Sequence, residues 1–125
     1  RMLLPPGQKG DLLRKVTWSR ETLRVVRGGM RDVVQMETGT GKRAQVAGVD
    51  MAGKTGTAEF GIKTERKKYT WMTVFAPFDS PRYAVAMVVE EGVSGGVTVA
   101  PRIGKLMAEI FQLEGMSARK AGAEG

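Results

Sequence analysis

The chain has 125 residues, 42% of them apolar and 26% charged, which is the balance of one small globular domain and leaves no room for two. It contains no Cys and no His, which excludes a disulfide framework, a thiolate or imidazole metal site, a thiol nucleophile and a Ser-His-Asp triad. The net charge of +7 is uneven: residues 1–49 carry ten Lys/Arg against four Asp/Glu, and residues 50–125 carry ten against nine.

Residues 1–18 read as a lead-in segment, with apolar Met2-Leu3-Leu4, a turn at Pro5-Pro6-Gly7 and a charged stretch up to Val16. The start at Arg1 rather than Met points to polypeptide upstream. A helix comes next, with Ser19 as its N-cap. Leu23, Val26, Met30 and Val33 recur at spacings of three and four and form one apolar stripe. Arg20, Arg24, Arg27 and Arg31 fall on another face. The plain reading of that stripe is a solvated surface; contact with another part of the domain, or with anionic lipid or glycan, are the alternatives. The two Trp, two Tyr and four Phe do not interleave with the basic residues, so nucleic acid is not an expected partner. Gly28-Gly29 weakens the helix by roughly 1 kcal/mol per Gly relative to Ala and predicts a kink or a close backbone approach. Thr38-Gly39-Thr40-Gly41 ends it, with glycine as a left-handed stop.

Three strands are predicted next, over residues 49–60, 69–76 and 82–90. In the second, Tyr69, Trp71, Thr73 and Phe75 alternate with Met72, Val74 and Ala76; in the third, Tyr83, Val85, Met87 and Val89 alternate with Ala84, Ala86 and Val88. The links are a basic hairpin loop over residues 61–68 and the turn Pro77-Phe78-Asp79-Ser80-Pro81. A Gly-rich turn at residues 92–96 leads to a last helix over residues 100–113, with Ile103, Leu106, Met107 and Ile110 on one face, and residues 115–125 read as a flexible tail. Helix, three antiparallel strands, helix make an α+β layer.

The segment 48–55, Gly48-Val49-Asp50-Met51-Ala52-Gly53-Lys54-Thr55, formally matches the phosphate-cradling pattern G-x-x-x-x-G-K-[ST]. Such a loop needs a buried parallel strand before it and a helix starting at its Lys-Thr, and neither is predicted here. As part of a strand, Lys54-Thr55-Gly56-Thr57 offers a cation, two hydroxyls and a bare backbone position. Thr55 and Thr57 share one side, and Lys54 faces the other. Gly56 would let a ligand backbone lie against the strand, and the Thr57 N–H could donate to a developing oxyanion while hydroxyls and ammonium hold a carboxylate.

Ala52-Gly53-Lys54-Thr55-Gly56-Thr57-Ala58-Glu59 resembles the third motif of the penicillin-binding proteins, the serine D,D-transpeptidases. Gly29-Met30-Arg31-Asp32-Val33-Val34 with Thr38-Gly39-Thr40-Gly41 is similar to the helix and turn before that motif. Trp71-Met72-Thr73-Val74-Phe75-Ala76-Pro77, residues 83–90 and Ala100-Pro101-Arg102-Ile103 resemble the family's two later strands and the start of its last helix, so the likeness covers roughly residues 20–112. The wording is most similar to the elongation-type class B enzymes, the penicillin-binding protein 2 group, with the division type as the close alternative. The fold this implies is part of the penicillin-binding, serine β-lactamase-like transpeptidase fold.

What the resemblance implies about the site is specific. Lys54 would keep the proton network and charge balance, Thr55 and Thr57 would bind the terminal carboxylate of a D-Ala-D-Ala stem peptide or of a β-lactam, the Thr57 N–H would form half of the oxyanion hole, and Gly56 would leave room for the peptide. The family's other motifs are S-x-x-K and S-x-N. The sequence has no Asn, hence no S-x-N. Its S-x-x-K match, Ser117-Ala118-Arg119-Lys120, lies after the strand motif instead of before it, and reads as coincidence. The expectation is therefore residues 19–114 as the C-terminal part of a transpeptidase domain, inactive alone, completed by an upstream part of the same domain and otherwise left with an open face that favours dimerisation or swapping. The resemblance further implies an extracytoplasmic (periplasmic) location at the inner membrane through an N-terminal anchor, elongation-complex membrane proteins as partners, and no metal or organic cofactor. A non-catalytic penicillin-recognising sensor is the alternative within the fold.

Overall fold

The computed structural model describes residues 17–61 and 67–123. Helix α1 spans Arg20–Gln35 and starts where predicted: the Ser19 hydroxyl accepts the Thr22 N–H at 3.0 Å. It runs unbroken through Gly28 and Gly29. Among the described residues nothing lies within 4 Å of where either Cβ would be, so the expected close approach is not made. The helix stop also differs from expectation. Met36 ends it in an extended conformation, and the left-handed glycines among the described residues are Gly48 and Gly61, not Gly39 or Gly41. Gly39 is needed for space: the chain folds back so tightly on the last turn that a Cβ there would overlap the Val33 carbonyl and stand 2.7 Å from that of Asp32.

A 3-10 turn over Lys42–Ala44 and a turn at Gly48 (φ 74°) lead into a three-stranded antiparallel sheet. Its strands are β1 (Ala52–Phe60), β2 (Lys67–Ala76) and β3 (Tyr83–Glu90), in that spatial order. The first begins three residues later than predicted. Part of the predicted basic hairpin loop, residues 62–66, lies outside the described residues. Residues directly opposite share a face, so the register Thr55↔Met72 and Thr57↔Thr70 puts both threonines on the face of Met72, and Lys54↔Thr73 puts Lys54 on the other.

That first face is closed by helix α2, Ala100–Ala123. Met72, Val99, Ala100, Ile103 and Met107 are wholly buried, and Tyr83, Val85, Met87, Val89, Ile110 and Phe111 pack around them. Each such large side chain removed from water stabilises the fold by roughly 1.5–3 kcal/mol. Thr70, buried among them, donates its hydroxyl to the Val89 carbonyl at 3.0 Å. Gly104 lets α2 touch the 3-10 turn, since a Cβ there would lie 2.9 Å from Ala44 Cα. The helix passes through residue 115, where a tail is predicted, and continues to Ala123, because residues 116–121 are mostly good helix formers.

The second sheet face is open. Val88 is 62% exposed beside Ala84 and Ala86, and Met30 of α1 reaches across to a shallow cavity of about 280 Å³ with Thr73 and Phe75. Of α1 only Val34 is fully buried. Its arginines divide into two pairs. Arg20 and Arg24 are exposed, as the solvated-face reading expects. Arg27 and Arg31 are not idle: Arg27 donates to the Phe78 carbonyl and stands 5.1 Å from the Phe78 ring centroid, while Arg31 holds both Asp50 carboxylate oxygens at 2.9 Å and stands 5.5 Å from the same ring. The Phe78 N–H closes the clasp on the Asp50 carbonyl at 2.8 Å. The Asp50 hydrogen bond first, then its charge, raise the Arg31 pKa above the ordinary guanidinium value.

Candidate active site

β1 is an edge strand, paired on one side with β2 and with no strand on its other side among the described residues. Small residues at its start, Ala52 and Gly53, are buried under the core, and the strand emerges at Lys54. The Lys54 ammonium donates to the Thr55 carbonyl at 2.7 Å, and its side chain is exposed. Thr55 is half-buried, and its hydroxyl lies 2.8 Å from that of Thr40, at the end of the loop after α1. Thr57 is exposed. Together with Thr38, Thr40, Arg43, Ser94 and Gly96, the segment 55–57 lines an open groove of about 530 Å³.

The structure rules out the phosphate-loop reading of residues 48–55: Lys54 and Thr55 lie inside a strand of an antiparallel sheet, and no helix begins there to point its N–H groups at a phosphate. It also gives Gly56 a reason that local patterning does not. A Cβ at Gly56 would overlap the Trp71 indole, so the bare position is filled by the cross-strand partner on the Lys54 face, and is not open space above the strand. A ligand backbone has the strand's free edge, not the face over Gly56.

Two contributors escape sequence reasoning. Thr40 has the pattern of a helix stop, yet its hydroxyl meets Thr55. The loop before α2 has the pattern of a plain glycine turn, yet Gly95 crosses the backbone of β1 and β2: a Cβ there would stand 2.9 Å from the Gly56 carbonyl oxygen and 3.0 Å from its nitrogen. The only local signal is the density of Thr, Ser and Gly in both loops, which marks turns in general. Ser94 starts the wide turn Gly95–Val99 by accepting the Val97 N–H at 3.2 Å, which settles the loop over the strand.

The sequence profile of the penicillin binding protein transpeptidase domain matches residues 8–109. The chain belongs to this family. Peptidoglycan D,D-transpeptidase MrdA of Haemophilus influenzae is 34% identical over 92 residues, covering 63% of this chain and 14% of that protein. Peptidoglycan D,D-transpeptidase PbpA of Mycolicibacterium smegmatis is 39% identical over 75 residues, covering 55% of the chain and 15% of that protein. Among solved structures, Pseudomonas aeruginosa PBP2 in complex with WCK 5153 superposes with a TM-score of 0.65 at 31% identity, covering 82% of this chain and 22% of that one. PBP2 of Helicobacter pylori, solved in complex with MreC, gives 0.64 at 28% identity, covering 74% and 17%. The chain thus spans about a seventh of the curated relatives' length. The two-helix, three-strand layer is the corresponding part of the penicillin-binding transpeptidase fold.

Within the family chain, Lys54, Thr55, Gly56 and Thr57 stand together on one edge strand, as predicted from the motif. Ser117 falls in the later turns of α2. Among the described residues no cluster of three acidic side chains could hold a metal ion, and no helix is long and apolar enough to cross a membrane.

Proposed function

We propose that segment 54–57 is the carboxylate- and oxyanion-binding strand of a peptidoglycan D,D-transpeptidase, acting on D-Ala-D-Ala stem peptides and open to β-lactams that mimic them. The observation that carries this reading is an edge strand that places Thr55, Gly56 and Thr57 on a groove whose lining includes Arg43 and Lys42, with Lys54 exposed on the opposite face of the same strand. Thr55 and Thr57 take the substrate carboxylate, Lys54 keeps the proton network and charge balance beside the serine of the S-x-N motif, and the Thr57 N–H faces the oxyanion. The nucleophile and the S-x-N motif come from outside these 125 residues, so this stretch alone carries no turnover. The likeness to MrdA and to PBP2 supports the elongation type, an extracytoplasmic site of action, and a membrane-protein partner such as the MreC seen with the Helicobacter pylori relative.

The test is acylation of the intact polypeptide by a fluorescent penicillin. Lys54→Ala lowers the acylation rate about 100-fold with the circular dichroism spectrum unchanged. A rate within about twofold of wild type, or a penicillin adduct located by mass on Ser117, overturns the reading.

A further inference from the structure

We propose that Thr40 is a positioning residue for anion recognition: its hydroxyl sets the direction in which the Thr55 hydroxyl donates, so that Thr55 presents its proton to the carboxylate of the acyl donor. This rests on the reading of segment 54–57 given above.

The two hydroxyl oxygens lie 2.8 Å apart, a full hydrogen bond whose donor is set by what else is bound. Each hydroxyl has one proton and two acceptor lone pairs, whereas an ionised carboxylate only accepts. When a carboxylate sits on Thr55, the single Thr55 proton must go to it, and the bond to Thr40 survives only if Thr40 donates. The result is a one-way chain, Thr40 to Thr55 to carboxylate, in which each bond polarises the next. The same chain disfavours a neutral ligand that would leave the Thr55 proton without a charged acceptor.

Thr40 is built to hold that direction. On one side, Gly39 folds the chain against the last turn of α1, and the Gly41 N–H donates to the Val33 carbonyl at 2.9 Å. On the other, Gly96 closes over Thr40: a Cβ there would overlap the Thr40 carbonyl oxygen and lie 3.3 Å from its carbon. The backbone of Thr40 is thus pinned between α1 and the loop before α2. Thr55, in the strand, is stiff at its first side-chain torsion. Two fixed hydroxyls at the mouth of one groove fit recognition of an anion better than a contact that merely joins a loop to a strand.

The experiment uses the intact transpeptidase polypeptide and two probes that differ in one charge, benzylpenicillin with its free carboxylate and its neutral methyl ester. Thr40→Val slows acylation by benzylpenicillin about tenfold and acylation by the ester less than about twofold, while Thr40→Ser restores both. In a Thr55→Val background Thr40→Val adds nothing. Thr40→Ala gives the same split and stands in if the valine variant does not fold. An equal loss on both probes overturns the proposal in favour of a structural contact. So does a silent Thr40→Val in an enzyme that Thr55→Val impairs. If Thr55→Val itself leaves benzylpenicillin acylation intact, the reading of segment 54–57 falls, and this inference with it.

Discussion

The two α-helices among the described residues are both amphipathic, yet they are held in different ways. α2 buries Ala100, Ile103, Gly104 and Met107 against the sheet and the 3-10 turn. α1 buries Val34 alone, leaves Leu23 38% and Val26 44% exposed, and is tied down by Arg27 and Arg31 on Phe78 and Asp50. One attachment is mostly apolar area; the other combines the apolar end of α1, Val33 and Val34, with a few directional polar contacts. The strand proposed to bind substrate runs along the seam between them, with Thr55 and Thr57 on the face closed by α2 and Lys54 on the open one. A strand in that place has a fixed register and a free edge at the same time, which is what binding an extended chain requires.

The largest expected effect breaks the comparison on the α2 side. Ile103→Ala costs roughly 3 kcal/mol in urea unfolding of the intact protein, while Leu23→Ala costs under about 0.5. Equal costs would show that α1 is packed as tightly as α2. Next comes the seam itself. Gly56→Ala drives a methyl into the Trp71 indole, costs about 1–3 kcal/mol and shifts indole emission to the red. In a Trp71→Ala background the same change is nearly neutral, unless the glycine is needed for a reason other than that ring. Smallest is the contrast among the arginines: Arg31→Met lowers the unfolding midpoint, and Arg24→Met, which loses only an exposed contact of 3.9 Å to Glu21, leaves it in place. Because Asp50 raises the Arg31 pKa, the contribution of Arg31 is complete below the ordinary guanidinium value and is lost only as pH climbs past it. The midpoint difference between wild type and Arg31→Met is therefore the same at neutral and at mildly alkaline pH, and a difference that shrinks on mild alkalinisation would contradict the clasp.

Much of this layout is legible in the residues. Alternation in Tyr69 to Ala76 and in Tyr83 to Glu90 assigns the faces of β2 and β3 correctly, because a period of two leaves a strand one choice of side. The Ser19 cap is legible because a cap is local chemistry. The K-T-G motif falls on a strand, as its pattern of small residues and hydroxyls predicts, and the antiparallel sheet disposes of the phosphate-loop match. The expectations that fail are those that depend on how the chain folds back on itself. Gly39 and Gly56 suggest conformational or ligand-binding reasons in sequence, and both are glycines because another part of the chain, the Val33 carbonyl or the Trp71 indole, occupies the place of a side chain. The arginine stripe reads as one surface, but it is Arg27 and Arg31 that stand over the Phe78 ring.

Spacings of a few residues were thus enough to set the order and periodicity of the elements, the cap, and the identity of the strand that carries Lys54, Thr55 and Thr57. Only the folded chain decided that Thr40 meets Thr55, that Gly95 crosses Gly56, and that one helix is buried while the other is clasped. Those contacts join residues 15 and more positions apart, and local patterning places no constraint on which distant groups share a few ångströms of space.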